Sequence, residues 1–206
     1  MKQQIDTIIF DLGGVLVDWK PEYVYRKAFN GDEEKVQWFL KNVCTPDWNM
    51  EQDAGRTIAK GNAVKIAEFP EYEHYIKLFY GEWTDMLSGA IEENLQLFKQ
   101  LKASGNYKIY ALTNWSAEKW DIAVQLFPFF NDFDGVVVSG IEKTRKPYPQ
   151  IYNILLNRFA ITPEKSIFID DNKDNILASK ALKINGIHFQ NHQQLIEDLK
   201  AFQLNY

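Results

Sequence analysis

Five short runs limit what this chain can fold into: Thr7-Ile8-Ile9-Phe10, Lys108-Ile109-Tyr110-Ala111-Leu112, Gly135-Val136-Val137-Val138-Ser139, Ser166-Ile167-Phe168-Ile169 and Gly186-Ile187-His188-Phe189. None shows a steady alternation of apolar and polar residues, so each reads as a strand covered on both faces. Helical patterns separate the later runs. Ile91 to Ala103 places Ile91, Leu95, Phe98 and Leu101 on one face, and Ser104-Gly105-Asn106 stops it. Further helices are expected over Ser116–Phe127, Gln150–Phe159, Asn175–Leu182 and Gln193–Phe202. Strand alternating with helix predicts an α/β fold, a Rossmann-like parallel sheet with helices on both faces.

In such a sheet, ligands bind beyond the carboxyl ends of the strands. Polar groups gather at those ends. Asp11 closes the first run and Thr113-Asn114 the second; Asp170-Asp171-Asn172 closes the fourth. Lys146 stands in a short loop after the third run, just before Pro147. Taken singly, each has an ordinary explanation. Asp11 fits a helix N-cap, Asp170-Asp171-Asn172 an acidic turn, Thr113-Asn114 a strand-to-helix cap and Lys146 a solvated lysine. If the strands are neighbours, all of them meet at one place. A carboxylate at a buried strand end also requires a cation or hydrogen bonds to hold it.

Between Pro21 and about Thr84 the strand signals vanish, and aromatics at helical spacing take over, including Tyr25, Phe29, Phe39, Tyr75 and Phe79. Breakers at Asn30-Gly31, Thr45-Pro46, Gly55, Gly61-Asn62 and Pro70 divide this stretch into roughly four helices. The expected organisation is a core of residues 1–18 and 85–206 with a helical cap, residues 19–84, inserted after the first strand. The aromatics read as that unit's own core. The polar stretch Thr45–Arg56 reads either as a solvated loop between helices or as a loop facing the site. In the second case Trp48 is a stacking wall and Arg56 an anion contact. Trp115, directly after Thr113-Asn114, is placed to narrow the entrance, and hinges are expected near Asp18-Trp19 and Leu87-Ser88-Gly89.

Composition narrows the function classes. With 46% hydrophobic and 25% charged residues over 206, the chain is of globular type, and a net charge of −5 without a basic run gives nucleic acid no footprint. One cysteine excludes an internal disulfide and a cysteine-based zinc cluster. No apolar run reaches membrane-spanning length, and Met1–Asp6 leads straight into the first strand without signal-peptide features. The expectation is a cytoplasmic protein, a monomer or weak homodimer, with a small molecule as its partner. His74, His188 and His192 fit no metal-ligand spacing and read as structural or exposed.

Four stretches, in order, resemble the motifs of the haloacid dehalogenase-like superfamily of hydrolases, whose largest branch is magnesium-dependent phosphatases. Phe10-Asp11-Leu12-Gly13-Gly14-Val15-Leu16 resembles the motif that carries the nucleophile. Leu112-Thr113-Asn114 resembles the phosphate-binding motif, Lys146–Tyr152 the lysine motif and Phe168–Asn175 the acidic metal motif. The resemblance implies Asp11 as nucleophile and Mg²⁺ held by the Asp11 and Asp171 carboxylates and the Gly13 carbonyl. Asp170 would act from behind the metal or through water, and Asn172 would orient the acidic loop. Lys146 would keep Asp11 ionised and balance charge, while the Thr113 hydroxyl and the Asn114 backbone N–H take phosphate oxygens. The chemistry is consistent with general principles: a carboxylate nucleophile forms an aspartyl-phosphate, and a divalent cation relieves the crowding of three carboxylates.

One position departs from the pattern. Phosphatases of this family usually carry a second Asp two residues after the nucleophile, as the general acid/base, and here that residue is Gly13. Loss of such a group typically costs on the order of 10²–10⁴ in rate. Three readings follow. The first is a phosphatase of a small phosphorylated metabolite, sugar phosphates included, in which water or another acid moves the proton. Asp18, Glu51 and Asp53 are the acids within possible reach, and leaving groups that need little protonation are favoured. The second is a metal-independent 2-haloacid dehalogenase, which lacks the second Asp but also the paired acids of Asp170-Asp171. The third is a metabolite-binding member without turnover.

Overall fold

A computed structural model describes residues 4–205. Met1–Gln3, within the stretch expected to lack signal-peptide features, lie outside them. The chain opens on β1 (Thr7–Phe10), turns sharply into β2 (Val17–Trp19) and passes through five helices: α1 (Glu22–Ala28), α2 (Glu33–Asn42), α3 (Pro46–Asp53), α4 (Ile58–Glu68) and α5 (Glu73–Gly81). It returns through β3 (Leu87–Ala90) and then alternates: α6 (Glu92–Ser104), β4 (Lys108–Thr113), α7 (Ala117–Leu126), β5 (Gly135–Val138), α8 (Ser139–Glu142), α9 (Pro149–Arg158), β6 (Ser166–Asp170), α10 (Lys173–Ala181), β7 (Asn185–His188) and α11 (His192–Ala201).

The sheet has the order β5-β4-β1-β6-β7, and all its pairings are parallel. β1 lies at its centre, with Phe10 opposite Ala111 on one side and Ile169 on the other. Successive residues of a strand face opposite ways, which divides the core in two. Ile8 and Phe10 pack with Leu97, Phe98, Leu195 and Leu199 of α6 and α11. Ile9 packs with Ile151, Tyr152, Leu155 and Ile176 of α9 and α10. Helices therefore cover both faces, and no strand needs a polar side.

The inserted helices build their own aromatic core. Tyr25 packs against Phe39 at 4.7 Å between ring centroids, and Phe29 against Tyr75 at 4.6 Å. There are five α-helices in this unit where the sequence suggested about four. The additional one is α3, within the stretch expected to be a loop. Its start is well specified: the Thr45 hydroxyl accepts from the Trp48 N–H at 3.1 Å, and Pro46 occupies the first turn. The two expected hinge segments are paired with each other. β2 and β3 form an antiparallel ribbon, with Val17 opposite Ala90 and Asp18 opposite Gly89. The helical unit thus leaves and rejoins the core through one two-stranded stem. Among the described residues, no helix is long and apolar enough to cross a membrane.

Candidate active site

Asp11 continues β1 by one residue, its N–H donating to the Ile169 carbonyl at 2.9 Å. On one side β6 ends level with Asp11, at Asp170, and on the other β4 runs one residue further, to Thr113. The chain then bends tightly, and the Leu16 and Val17 N–H groups both donate to the Leu12 carbonyl at 2.8 Å. From α6, buried Asn94 donates to the Val15 carbonyl at 2.6 Å and pins this bend to the core.

Lys146 is the electrostatic centre of the site. It is only 1% exposed, and a lysine so buried stays charged only beside anions. Its Nζ lies 2.8 Å from Asp11 Oδ2 and 2.7 Å from Asp170 Oδ2. Burial pulls the ammonium pKa down, but Asp11 and Asp170 outweigh it and hold the pKa above the ordinary lysine value. Asn114 fixes the loop that delivers it, accepting from the Lys146 N–H at 2.9 Å and donating to the Lys146 carbonyl at 3.0 Å. Asp170 is held on both oxygens: besides Lys146 it accepts from the Asn172 N–H at 2.7 Å and from the Asn175 amide at 3.0 Å. Asn172 also caps α10 by accepting from the Asp174 N–H at 2.8 Å.

One carboxylate oxygen from each of Asp11, Asp170 and Asp171 lies within 4.8 Å of the other two. The crowding has an electrostatic signature. Burial pushes the Asp11 carboxyl up, against the pull of Lys146, and Asp170 and Asp171 push it further. Asp171 is likewise raised, by burial and by Asp170. A divalent cation would reverse both shifts, and three convergent carboxylate oxygens are a hard-cation donor set. Gly14 makes room for it. Its φ is +74°, and a Cβ there would stand 2.3 Å from Asp171 Oδ2. On the opposite side, buried Thr113 Oγ1 has no partner, although a buried hydroxyl normally finds one. An oxyanion placed beside Asp11 would supply it.

Of the residues suggested for the substrate side, three line neither the cleft nor the cavity beside it. Trp48 is no stacking wall. It is buried in the helical unit, edge-on to Phe79 at 5.1 Å, with its Nε1 donating to the Gly61 carbonyl at 3.0 Å. Arg56 folds back on α3, donating to Gln52 Oε1 at 2.5 Å and the Trp48 carbonyl at 3.0 Å, and contacts no anion there. Asp18 accepts from the Tyr23 hydroxyl at 2.6 Å and pairs with Lys20 at 3.2 Å, outside the cleft lining. Trp115 is buried with an unpartnered Nε1, and it lines a small cavity of about 70 Å³ together with Trp19, Tyr80 and Trp83. This cavity adjoins a cleft of about 500 Å³ that contains Asp11, Lys146 and Asp171. Gly13, Asn49 and Asp53 line both.

A buried lysine between two carboxylates, a third carboxylate alongside and an unpartnered hydroxyl at the neighbouring strand end agree with the order of the motifs. The family model for haloacid dehalogenase-like hydrolases matches residues 5–183. The chain belongs to this family. The sesquiterpene phosphatase astK of Aspergillus oryzae is 24% identical over 188 residues, 87% of each chain. A phosphorylated carbohydrates phosphatase of Thermotoga maritima is 24% identical, over 89% of this chain and 84% of its own. A HAD family enzyme of Bacteroides thetaiotaomicron, solved as its magnesium complex, shares the fold with a TM-score of 0.69. The two are 24% identical, over 91% of this chain and 94% of the other. As a haloacid dehalogenase-like hydrolase the chain is an enzyme of hydrolytic type, and its acidic cluster can hold a metal ion.

Asn94, Asn114 and Asn175 are the site residues that sequence reasoning missed or described incompletely. Asn94 and Asn114 reach segments distant in the chain, which no local pattern marks, whereas Asn175 binds Asp170 only five residues before it.

Proposed function

We propose that this chain is a Mg²⁺-dependent phosphatase that hydrolyses a small phosphorylated metabolite, sugar phosphates included, through an aspartyl-phosphate on Asp11. The observation that carries this reading is the convergence of Asp11, Lys146, Asp170 and Asp171 beside the unpartnered Thr113 hydroxyl. Asp11, Asp171 and the Gly13 carbonyl would hold Mg²⁺, which when bound would supply positive charge to the phosphoryl oxygens. Asp11 Oδ attacks phosphorus as the ester P–O bond opposite breaks, and the phosphoryl group passes to the carboxylate. Lys146 holds Asp11 ionised before the attack and balances the transferred charge after it. The Thr113 hydroxyl and the Asn114 N–H bind phosphoryl oxygens, and Asp170 and Asn172 keep Lys146 and the acidic loop in place. Water then attacks the aspartyl-phosphate, releasing inorganic phosphate and restoring Asp11.

The helices of residues 19–84 serve as the cap on a core of 1–18 and 85–206. The cavity of Trp19, Tyr80, Trp83 and Trp115, with Asn49 at its edge, receives the leaving group. Aromatic walls with a few polar groups suit a small sugar or polyol, which is the kind of substrate the Thermotoga maritima relative's name gives. A metal-independent dehalogenase would likewise lack the second Asp but has no use for three carboxylates within 4.8 Å.

A screen of phosphorylated metabolites with Mg²⁺, run in parallel with Asp11→Asn, tests the proposal. Hydrolysis that is abolished both by chelator and by the variant is expected. Undiminished activity on 2-haloacids in chelator, or turnover by the variant equal to that of the wild type, overturns it.

A further inference from the structure

The family's usual proton-transfer residue is missing at Gly13, and the structure has open space where its side chain would begin. A Cβ at Gly13 would meet no atom within 4 Å. The space is not featureless, because Asp53 of α3 borders both the cleft and the smaller cavity that Gly13 lines. The other two acids raised by the sequence are placed elsewhere: Asp18 is engaged by Lys20 and Tyr23, and Glu51 is exposed.

Asp53 is held as a working group would be. It is buried, and the Asn49 amide donates to its Oδ2 at 3.1 Å. The Tyr80 hydroxyl in turn donates to Asn49 Oδ1 at 2.7 Å, so a chain of two hydrogen bonds aims the carboxyl. The carboxyl also faces the smaller cavity beside Ser116, at the start of α7. We propose that Asp53, reaching in from the helical unit, is the general acid/base of the phosphoryl-transfer reaction and stands in for the acid that Gly13 lacks. This rests on the phosphatase reading above.

In the first step Asp11 Oδ bonds to phosphorus, the P–O bond to the leaving group breaks, and the proton on the Asp53 carboxyl goes to the departing oxygen. In the second, the Asp53 carboxylate takes a proton from water as that water's oxygen bonds to phosphorus. The Asp11–phosphorus bond breaks, and Asp53 is again protonated. The charge environment suits a group that works in both forms. Burial pushes the Asp53 carboxyl up to about 7, against Arg145, Lys146 and the Ser116 N–H, which pull it down. Tyr80, the other titratable group against it, stays neutral, its hydroxyl pushed up by burial and by Asp53. A pKa near the operating pH suits a group that gives and then takes a proton.

The test compares Asp53→Asn with wild type, both with Mg²⁺, on 4-nitrophenyl phosphate and on a series of alkyl phosphates. The alkyl leaving groups need a proton and the nitrophenolate does not. The proposal expects kcat/KM on alkyl phosphates to fall by roughly 10²–10⁴, and that on the aryl ester by only a few fold. It also expects the aryl ester to give a burst followed by slow turnover as phosphoenzyme accumulates. In wild type the dependence of kcat/KM on leaving-group pKa is shallow and in the variant steep, so the preference for easy leaving groups that the sequence suggested belongs to the variant. Adding Gly13→Asp to the variant, where the space is open, restores at least tenfold on alkyl phosphates. An equal loss on both ester classes, or no loss, overturns the proposal. If Asp53→Asn does not fold, the wild-type pH profiles decide. The alkyl profile carries a decline with rising pH that the aryl profile lacks, and identical profiles overturn the assignment. Failure of the phosphatase reading looks different: wild type then shows no Mg²⁺-dependent hydrolysis, or Asp11→Asn retains it.

Discussion

Replacing Lys146 by Met probes the electrostatic centre of the site. The ammonium lies 2.8 Å from Asp11 and 2.7 Å from Asp170, and the three side chains are 1%, 11% and 0% exposed. Methionine has a similar length and fills the space, so little packing is lost. What remains is a pair of buried carboxylates without their cation. Breaking a buried ion pair from one side costs about 3–5 kcal/mol, a large share of the roughly 5–15 kcal/mol that stabilises a domain. At about 2–4 °C per kcal/mol for a chain of this size, the melting temperature should fall by roughly 10 °C. The loss should depend on pH. Lys146 lowers the Asp11 pKa in the wild type, so without it the already raised carboxyl rises further. A group raised in the folded state contributes stability at low pH and loses it as pH climbs from its unfolded to its folded pKa. The variant's deficit should therefore be smaller near pH 5 than near pH 8. Urea unfolding of both proteins in chelator at the two pH values measures this. A deficit below about 1 kcal/mol, or one that does not change with pH, would refute the view that Lys146 is the charge holding this cluster together.

Two other substitutions separate metal binding from packing. Gly14→Ala sets a methyl 2.3 Å from Asp171 Oδ2 at a φ of +74°, and a Mg²⁺ titration of activity should show at least tenfold weaker apparent affinity. Trp48→Ala should destabilise the fold by about 3–5 kcal/mol in urea, as for a buried aromatic, while leaving KM of the folded enzyme unchanged, because Trp48 faces Phe79 and Gly61 rather than the cleft.

The parallel sheet could be read from the sequence because its strands are buried on both faces and so appear as uninterrupted apolar runs, each closed by a polar group. That placed Asp11, Thr113, Lys146, Asp170 and Asp171 at one sheet edge without coordinates. The ribbon of β2 and β3 was hidden, since Ser88 and Gly89 have low strand propensity and the pairing joins segments far apart in sequence. Helix α3 looks like a loop in the sequence because Asp47, Asn49, Glu51, Gln52 and Asp53 break any apolar stripe. Its polar face turns to the cleft, where polarity serves the site, and only the Thr45-Pro46 start signal showed. Trp48 stood among those polar residues and suggested a ligand wall, but which way it points depends on Phe79, Tyr80 and Gly61, all far along the chain. Asn94 and Asn114 act through contacts with segments far apart in the chain, which sequence patterns do not carry.

The central claim is that Asp11 becomes covalently phosphorylated. Wild-type protein mixed with Mg²⁺ and a phosphate ester that it hydrolyses, quenched in acid and digested, should yield one peptide carrying a hydroxylamine-labile phosphate. Mass spectrometry should place that phosphate on Asp11, and Asp11→Asn should show neither the label nor turnover. Hydrolysis that proceeds with no phosphate on Asp11, or that survives in Asp11→Asn, would contradict the account.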